Sequence, residues 1–71
     1  MSTYSGIRLA RKIKEFRNKK GITQERLAEL IGTSYKYVQR MEGRTPPDVR
    51  LSTVVRLAKA LDVKPAKLLE F

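Results

Sequence analysis

The stretch Gln24-Glu-Arg-Leu-Ala-Glu-Leu-Ile-Gly-Thr-Ser-Tyr-Lys-Tyr-Val-Gln-Arg-Met-Glu42 decides the fold. It reads as two short helices around a glycine turn. Leu27, Leu30 and Ile31, with Ala28 beside them, recur at helical spacing and predict an inward face. Thr23 precedes them as an N-cap, and Glu25 suits the positive end of the helix dipole. The cap is not a strict capping box, because Arg26 stands where the reciprocal Glu or Gln would be. Gly32 stops this helix and admits the positive φ of a tight turn. The second helix, Ser34 to Glu42, is capped by Thr33 or Ser34 and has only Val38 and Met41 as clear apolar anchors. Tyr35, Lys36, Tyr37, Gln39 and Arg40 complete it. A helix that spends so few positions on the core has an outer face available for another task.

Outward from this stretch the pattern stays helical. On the N-terminal side, Leu9, Ile13 and Phe16, with Ala10, predict a helix from Ile7 to Lys19, stopped by Gly21. On the C-terminal side, Gly43-Arg-Thr-Pro-Pro-Asp-Val-Arg50 reads as a loop, because each Pro restricts the residue before it. Leu51, Val54, Val55, Leu57, Ala58 and Leu61 mark a fourth, strongly apolar helix. Asp62-Val63 is a connection, and Pro65 sits at the first position of a short fifth helix, Ala66 to Glu70. Leu68, Leu69 and Phe71 supply its apolar side. No period-2 run of β-branched residues exceeds a few positions, so no sheet is expected. The expectation is an all-α, compact five-helix bundle in a single domain over 1–71, with residues 1–5 as a flexible N-terminal arm.

Composition narrows the function. The chain has 71 residues, with 16 Lys+Arg against 7 Asp+Glu and a net charge of +9. Hydrophobic residues make up 41%, enough for a folded core despite the charge. With no Cys there is no thiolate zinc site, disulfide or Cys nucleophile, and with no His there is no His general base. Neither a metal site nor a cofactor is expected, and no catalytic residue is assigned: no paired carboxylates or phosphate-cradling Gly loop accompany the remaining acids and lysines. No apolar run approaches the ~18 residues of a membrane span, and residues 1–6 lack a signal-peptide core. These missing signals lead to the expectation of a cytoplasmic protein. Charge concentrates at the start, where Arg8, Arg11, Lys12, Lys14, Arg17, Lys19 and Lys20 face one acid, Glu15. Such a surplus attracts polyanions, nucleic acid or an anionic membrane surface. Its plainer reading is a solvated face.

Helix, short turn with a Gly, then helix is the helix-turn-helix unit. Ala28 is small where the two helices would cross. Leu27, Ile31, Val38 and Met41 anchor both, and the second helix projects its polar face outward. A major groove ~12 Å wide admits one α-helix in that position. The segment 24–42 resembles the helix-turn-helix of the Cro and phage-repressor family, which includes restriction–modification controller proteins and some antitoxins. Arg17-Asn-Lys-Lys-Gly-Ile-Thr-Gln24 resembles the family's lead-in to its second helix, and Leu57-Ala-Lys-Ala-Leu-Asp-Val63 its fourth-helix ending. The resemblance covers nearly the whole chain and implies a lambda-repressor-like fold. Asp62 departs from the family's usual Gly or Asn, but Asp tolerates the left-handed conformation better than most residues. The consecutive Pro46 and Pro47 are a second departure.

The resemblance implies roles residue by residue. Tyr35, Lys36 and Arg40 match the family's base-contacting positions. Lys or Arg reaches guanine O6 and N7, while Tyr packs on a thymine methyl or bonds a phosphate. Gln24 matches the family's phosphate-binding residue at the start of the second helix. Ser34, Tyr37, Arg44 and Thr45 are further phosphate candidates. Arg17 and Glu42 match a partly buried structural ion pair between the first and third helices. Val63, Leu69 and Phe71 are either core or a dimer interface.

The implied function is a sequence-specific, double-stranded-DNA-binding transcriptional regulator, acting as a homodimer on a pseudo-palindromic site. An alternative from another class is a protein-interaction adaptor of the same fold with mainly non-specific DNA affinity. The sequence preference of binding separates the two, and no particular protein partner is indicated. A membrane-surface role for the basic first helix is opposed by the other helices, which have their own caps and core positions.

Overall fold

The computed structural model describes residues 3–4 and 6–69, with side chains from residue 6 onward. Five helices follow in order: α1 Ile7–Lys20, α2 Gln24–Ile31, α3 Tyr35–Met41, α4 Leu51–Ala60 and α5 Pro65–Leu68. All five expected helices are present, within one or two residues at most ends. α5 begins at Pro65 itself; Glu70, its expected end, lies outside the described residues.

The caps explain where the chain turns. The hydroxyl of Thr23 accepts the Arg26 N–H at 3.0 Å, and the hydroxyl of Ser34 accepts the Tyr37 N–H at 3.1 Å. Each such cap satisfies one orphan N–H and contributes ~1 kcal/mol. Arg26, unable to close the capping box, instead pairs with Glu29 at 3.0 Å. Between α2 and α3, Gly32 adopts φ 74°. There the Gly32 N–H bonds the Glu29 carbonyl and the Thr33 N–H the Ala28 carbonyl, closing the helix end. The same closure recurs after α4 with Asp62 at φ 58°, where Val63 N–H reaches the Ala58 carbonyl at 2.9 Å. Asp62 therefore fills the left-handed position the family gives to Gly or Asn.

The core draws on every helix. Leu9, Ala10 and Ile13 of α1 meet Leu27, Ala28 and Ile31 of α2, Val38 and Met41 of α3, Val54, Leu57 and Ala58 of α4, and Leu68 of α5. Leu61 closes it after α4. Three expectations change. Leu30 does not face inward: it is 43% exposed, because Leu27 and Ile31 already occupy the buried stripe of an eight-residue helix. Leu51 and Val55 are likewise outside, flanking the buried stripe of Val54, Leu57 and Ala58 on α4. Val49, assigned to the loop, is only 1% exposed and belongs to the core.

Val49 also takes part in a feature that the helical pattern does not announce. Thr3–Tyr4 (β1) pairs antiparallel with Val49–Arg50 (β2), Thr3 opposite Arg50 and Tyr4 opposite Val49. Two residues per strand are too few to show alternation, so periodicity cannot reveal them. The N-terminal arm expected over residues 1–5 is thus tied at Thr3–Tyr4 to the start of α4. The fold class remains all-α.

Candidate nucleic-acid interface

α3 is held by its inner side alone. Val38 and Met41 are 0% and 1% exposed, while Tyr35, Lys36, Gln39 and Arg40 are on the surface. None of these four side chains bonds another group among the described residues. Tyr35 and Gln39 are four apart, as are Lys36 and Arg40, so the outer face carries two adjacent polar strips. Gln39 was not among the candidates drawn from the sequence. Its spacing from Tyr35 was the available signal.

An ion pair sits behind the C-terminal end of α3. Arg17 Nε donates to Glu42 Oε2 at 2.7 Å and Arg17 Nη2 to Glu42 Oε1 at 3.0 Å, a two-pronged contact. Arg17 Nη1 donates to the Ile22 carbonyl at 2.8 Å. The Glu42 side chain is 2% exposed and that of Arg17 11%. Gln24 adds a third donor, its Nε2 lying 3.2 Å from Glu42 Oε1. The expected pair therefore joins the ends of α1 and α3, and Gln24 brings in the start of α2.

The other candidates divide. Gln24 is half-buried and committed to Glu42, although a side-chain amide nitrogen carries a second N–H. Ser34 is exposed; its oxygen caps α3 and its hydroxyl hydrogen is left to donate outward. Arg44 and Thr45 are exposed beyond the end of α3. Tyr37 is half-buried and its ring packs against the core. Val63 and Leu69 are half-buried against the core, and Phe71 lies outside the described residues. Of the basic run on α1, Lys19 bridges Glu15 at 3.4 Å and lies over the Phe16 ring, as a solvated face does. Among the described residues no group of acidic side chains could hold a metal ion, and no helix is long and apolar enough to cross a membrane.

Known proteins share both the sequence and this geometry. The Cro/C1-type HTH DNA-binding domain matches residues 12–71. The control protein C.SmaI of Serratia marcescens is 41% identical over 61 residues, covering 86% of this chain and 71% of that protein. The crystal structure of the restriction–modification controller protein C.AhdI from Aeromonas hydrophila superposes with a TM-score of 0.81 at 37% identity, over 87% of this chain and 88% of that one. That of the hypothetical transcription factor NHTF from Neisseria gives 0.82 at 32% identity, over 99% and 84%. The chain belongs to the Cro/C1-type helix-turn-helix family of DNA-binding transcription regulators.

Proposed function

We propose that the protein is a sequence-specific regulator of transcription that inserts α3 into the major groove of double-stranded DNA. The observation that carries this reading is the outer face of α3: Tyr35, Lys36, Gln39 and Arg40 are exposed, and unbonded among the described residues, on a helix anchored from behind. Tyr35, Lys36 and Arg40 contact base edges. Gln24, Ser34, Arg44 and Thr45 surround that helix and meet the phosphates that pass on either side. Tyr37, packed against the core, contributes at most its hydroxyl. The controller-protein relatives favour control of a restriction–modification system over the other roles found in the family. Selection of bound DNA from random duplexes tests the reading. A consensus of two related half-sites is the expected result, and a pool without consensus would leave the adaptor role in its place.

The protein acts as a homodimer, so that two copies of α3 enter the groove about one helical turn apart, ~34–36 Å. In addition to the expected Val63, Leu69 and Phe71, α4 offers exposed apolar surface for pairing among the described residues. Leu51 and Val55 are 45% and 47% exposed and lie four apart on one face. Val55→Glu is expected to convert the dimer to a monomer in sedimentation while leaving the helical spectrum intact. A variant that sediments as a dimer would move the interface off this face.

A further inference from the structure

A hollow of about 320 Å³ lies between α1 and the turn that follows α3. It is lined by Ile7, Ala10, Arg11, Lys14, Glu42, Gly43 and Arg44. Ala10, Arg11 and Lys14 lie on one face of α1, and Arg17, one turn on, continues that face to Glu42. Two of the lining residues, Ala10 and Gly43, are too small to fill the space.

The charge in this hollow is one-sided. Arg11, Lys14 and Arg44 have no hydrogen-bond or ion-pair partner among the described residues. The one carboxylate in the lining, Glu42, is already neutralised by Arg17 and accepts from Gln24 as well. Three cationic residues therefore border the recess without an unpaired anion among its lining residues. A doubly bonded, buried carboxylate does not repel an incoming one as a free carboxylate would.

We propose that this hollow is a phosphate site, and that its occupant is a phosphate of the DNA backbone at the flank of the bound site. The proposal rests on the functional reading above and extends the interface to the first helix, through Arg11 and Lys14. Position supports the DNA backbone over a free anion. Gln24 bonds the Glu42 carboxylate and Arg44 lines the hollow, and both are residues that the functional reading above assigns to the backbone beside α3. A strand that meets Arg44 passes beside the recess that Arg44 lines. Arg11 and Lys14 neutralise it there, setting how the domain is seated along the duplex without reading a base.

The test is the salt dependence of binding, followed by fluorescence anisotropy on the selected duplex and on a random one. Arg11 and Lys14 are exposed, so Arg11→Gln/Lys14→Gln keeps the fold, which a melting curve checks. The expected result is a fall of about one in the slope of log K against log salt for each protomer bound, with the same fold-loss on both duplexes. Lys59→Gln/Lys64→Gln removes equal charge from α4 and the turn before α5, and is expected to keep the slope. An unchanged slope in the first variant, or an equal fall in both, overturns the proposal. A second arm titrates the free protein with inorganic phosphate and follows the Gly43 and Arg44 amide resonances. Saturable shifts in the parent that vanish in Arg11→Gln/Lys14→Gln, combined with an unchanged DNA slope, assign the hollow to a free anion and overturn the backbone assignment. If the parent binds no duplex at all, the functional reading fails. The phosphate titration then still decides whether the hollow takes an anion, and absent shifts reject it.

Discussion

Replacing Glu42 by alanine is expected to lower the melting temperature by roughly 12 °C or more. The reason is what remains. Arg17 keeps its bond to the Ile22 carbonyl and therefore its place, but it loses both carboxylate bonds in a setting where its side chain is 11% exposed. Removing one partner of a buried pair costs ~3–5 kcal/mol, chiefly because the other charge is left buried and uncompensated. The residual exposure of Arg17 places the loss near the lower end, about 3 kcal/mol. In a domain of this length each kcal/mol moves the midpoint by about 4–8 °C. Thermal unfolding by circular dichroism reads the effect. The paired change Arg17→Met/Glu42→Leu is expected to recover most of it, since a hydrophobic replacement of both partners leaves no stranded charge. A midpoint within about 2 °C of the parent for Glu42→Ala, less than even 1 kcal/mol would produce, would show that the pair carries no stability.

Arg40→Ala is expected to weaken discrimination rather than general binding. Arg40 is exposed on the outer face of α3, four residues after Lys36, and among the described residues has no partner that would have to be broken for it to reach DNA. A bidentate contact to guanine is worth ~1–3 kcal/mol of discrimination, roughly a factor of 5–150 in affinity for each half-site. That loss falls on the selected sequence alone. Arg44→Ala, by contrast, is expected to weaken selected and random duplexes alike and to reduce the salt slope by about 1. Competition binding with the two duplexes measures both variants. If the ratio of specific to non-specific affinity survives Arg40→Ala, α3 is not the reader.

The sequence disclosed the helices because their signals are local. Thr23 and Ser34 as caps, Gly21 and Gly32 as stops, and the spacing of Leu27, Ile31, Val38 and Met41 each act within one or two turns. Leu30 was misjudged for the opposite reason. Its spacing fits an inward stripe, and only the packing of α2 against α1, α3 and α4 decides which edge of the stripe stays wet. Leu51 and Val55 were hidden in the same way, by a helix apolar on more than one side. Val49 and the β1–β2 pairing depend on contacts between residues more than forty apart in the chain, which no local window contains. At the interface, the outer face of α3 was legible because it is defined by what it lacks. The bond from Gln24 to Glu42 was not, since it joins the beginning of one helix to the residue just after another. The hollow beside Arg11 and Lys14 was invisible for a further reason: a recess is a property of space between elements.

α3 is seven residues long. Isolated helices shorter than about 12–15 residues are marginal in water, so this one exists only while the domain around it is folded. Val38 and Met41, the Ser34 cap and the ion pair behind it supply an order that the segment does not possess by itself. In the proposed reading the DNA reader is therefore present in proportion to the folded fraction, and operator occupancy falls once the unfolding equilibrium begins to deplete that fraction. Warming the cell toward the midpoint would then withdraw the reader from its sites without any effector being bound. The molecules that had let go would, in the same event, expose their chains to proteolysis.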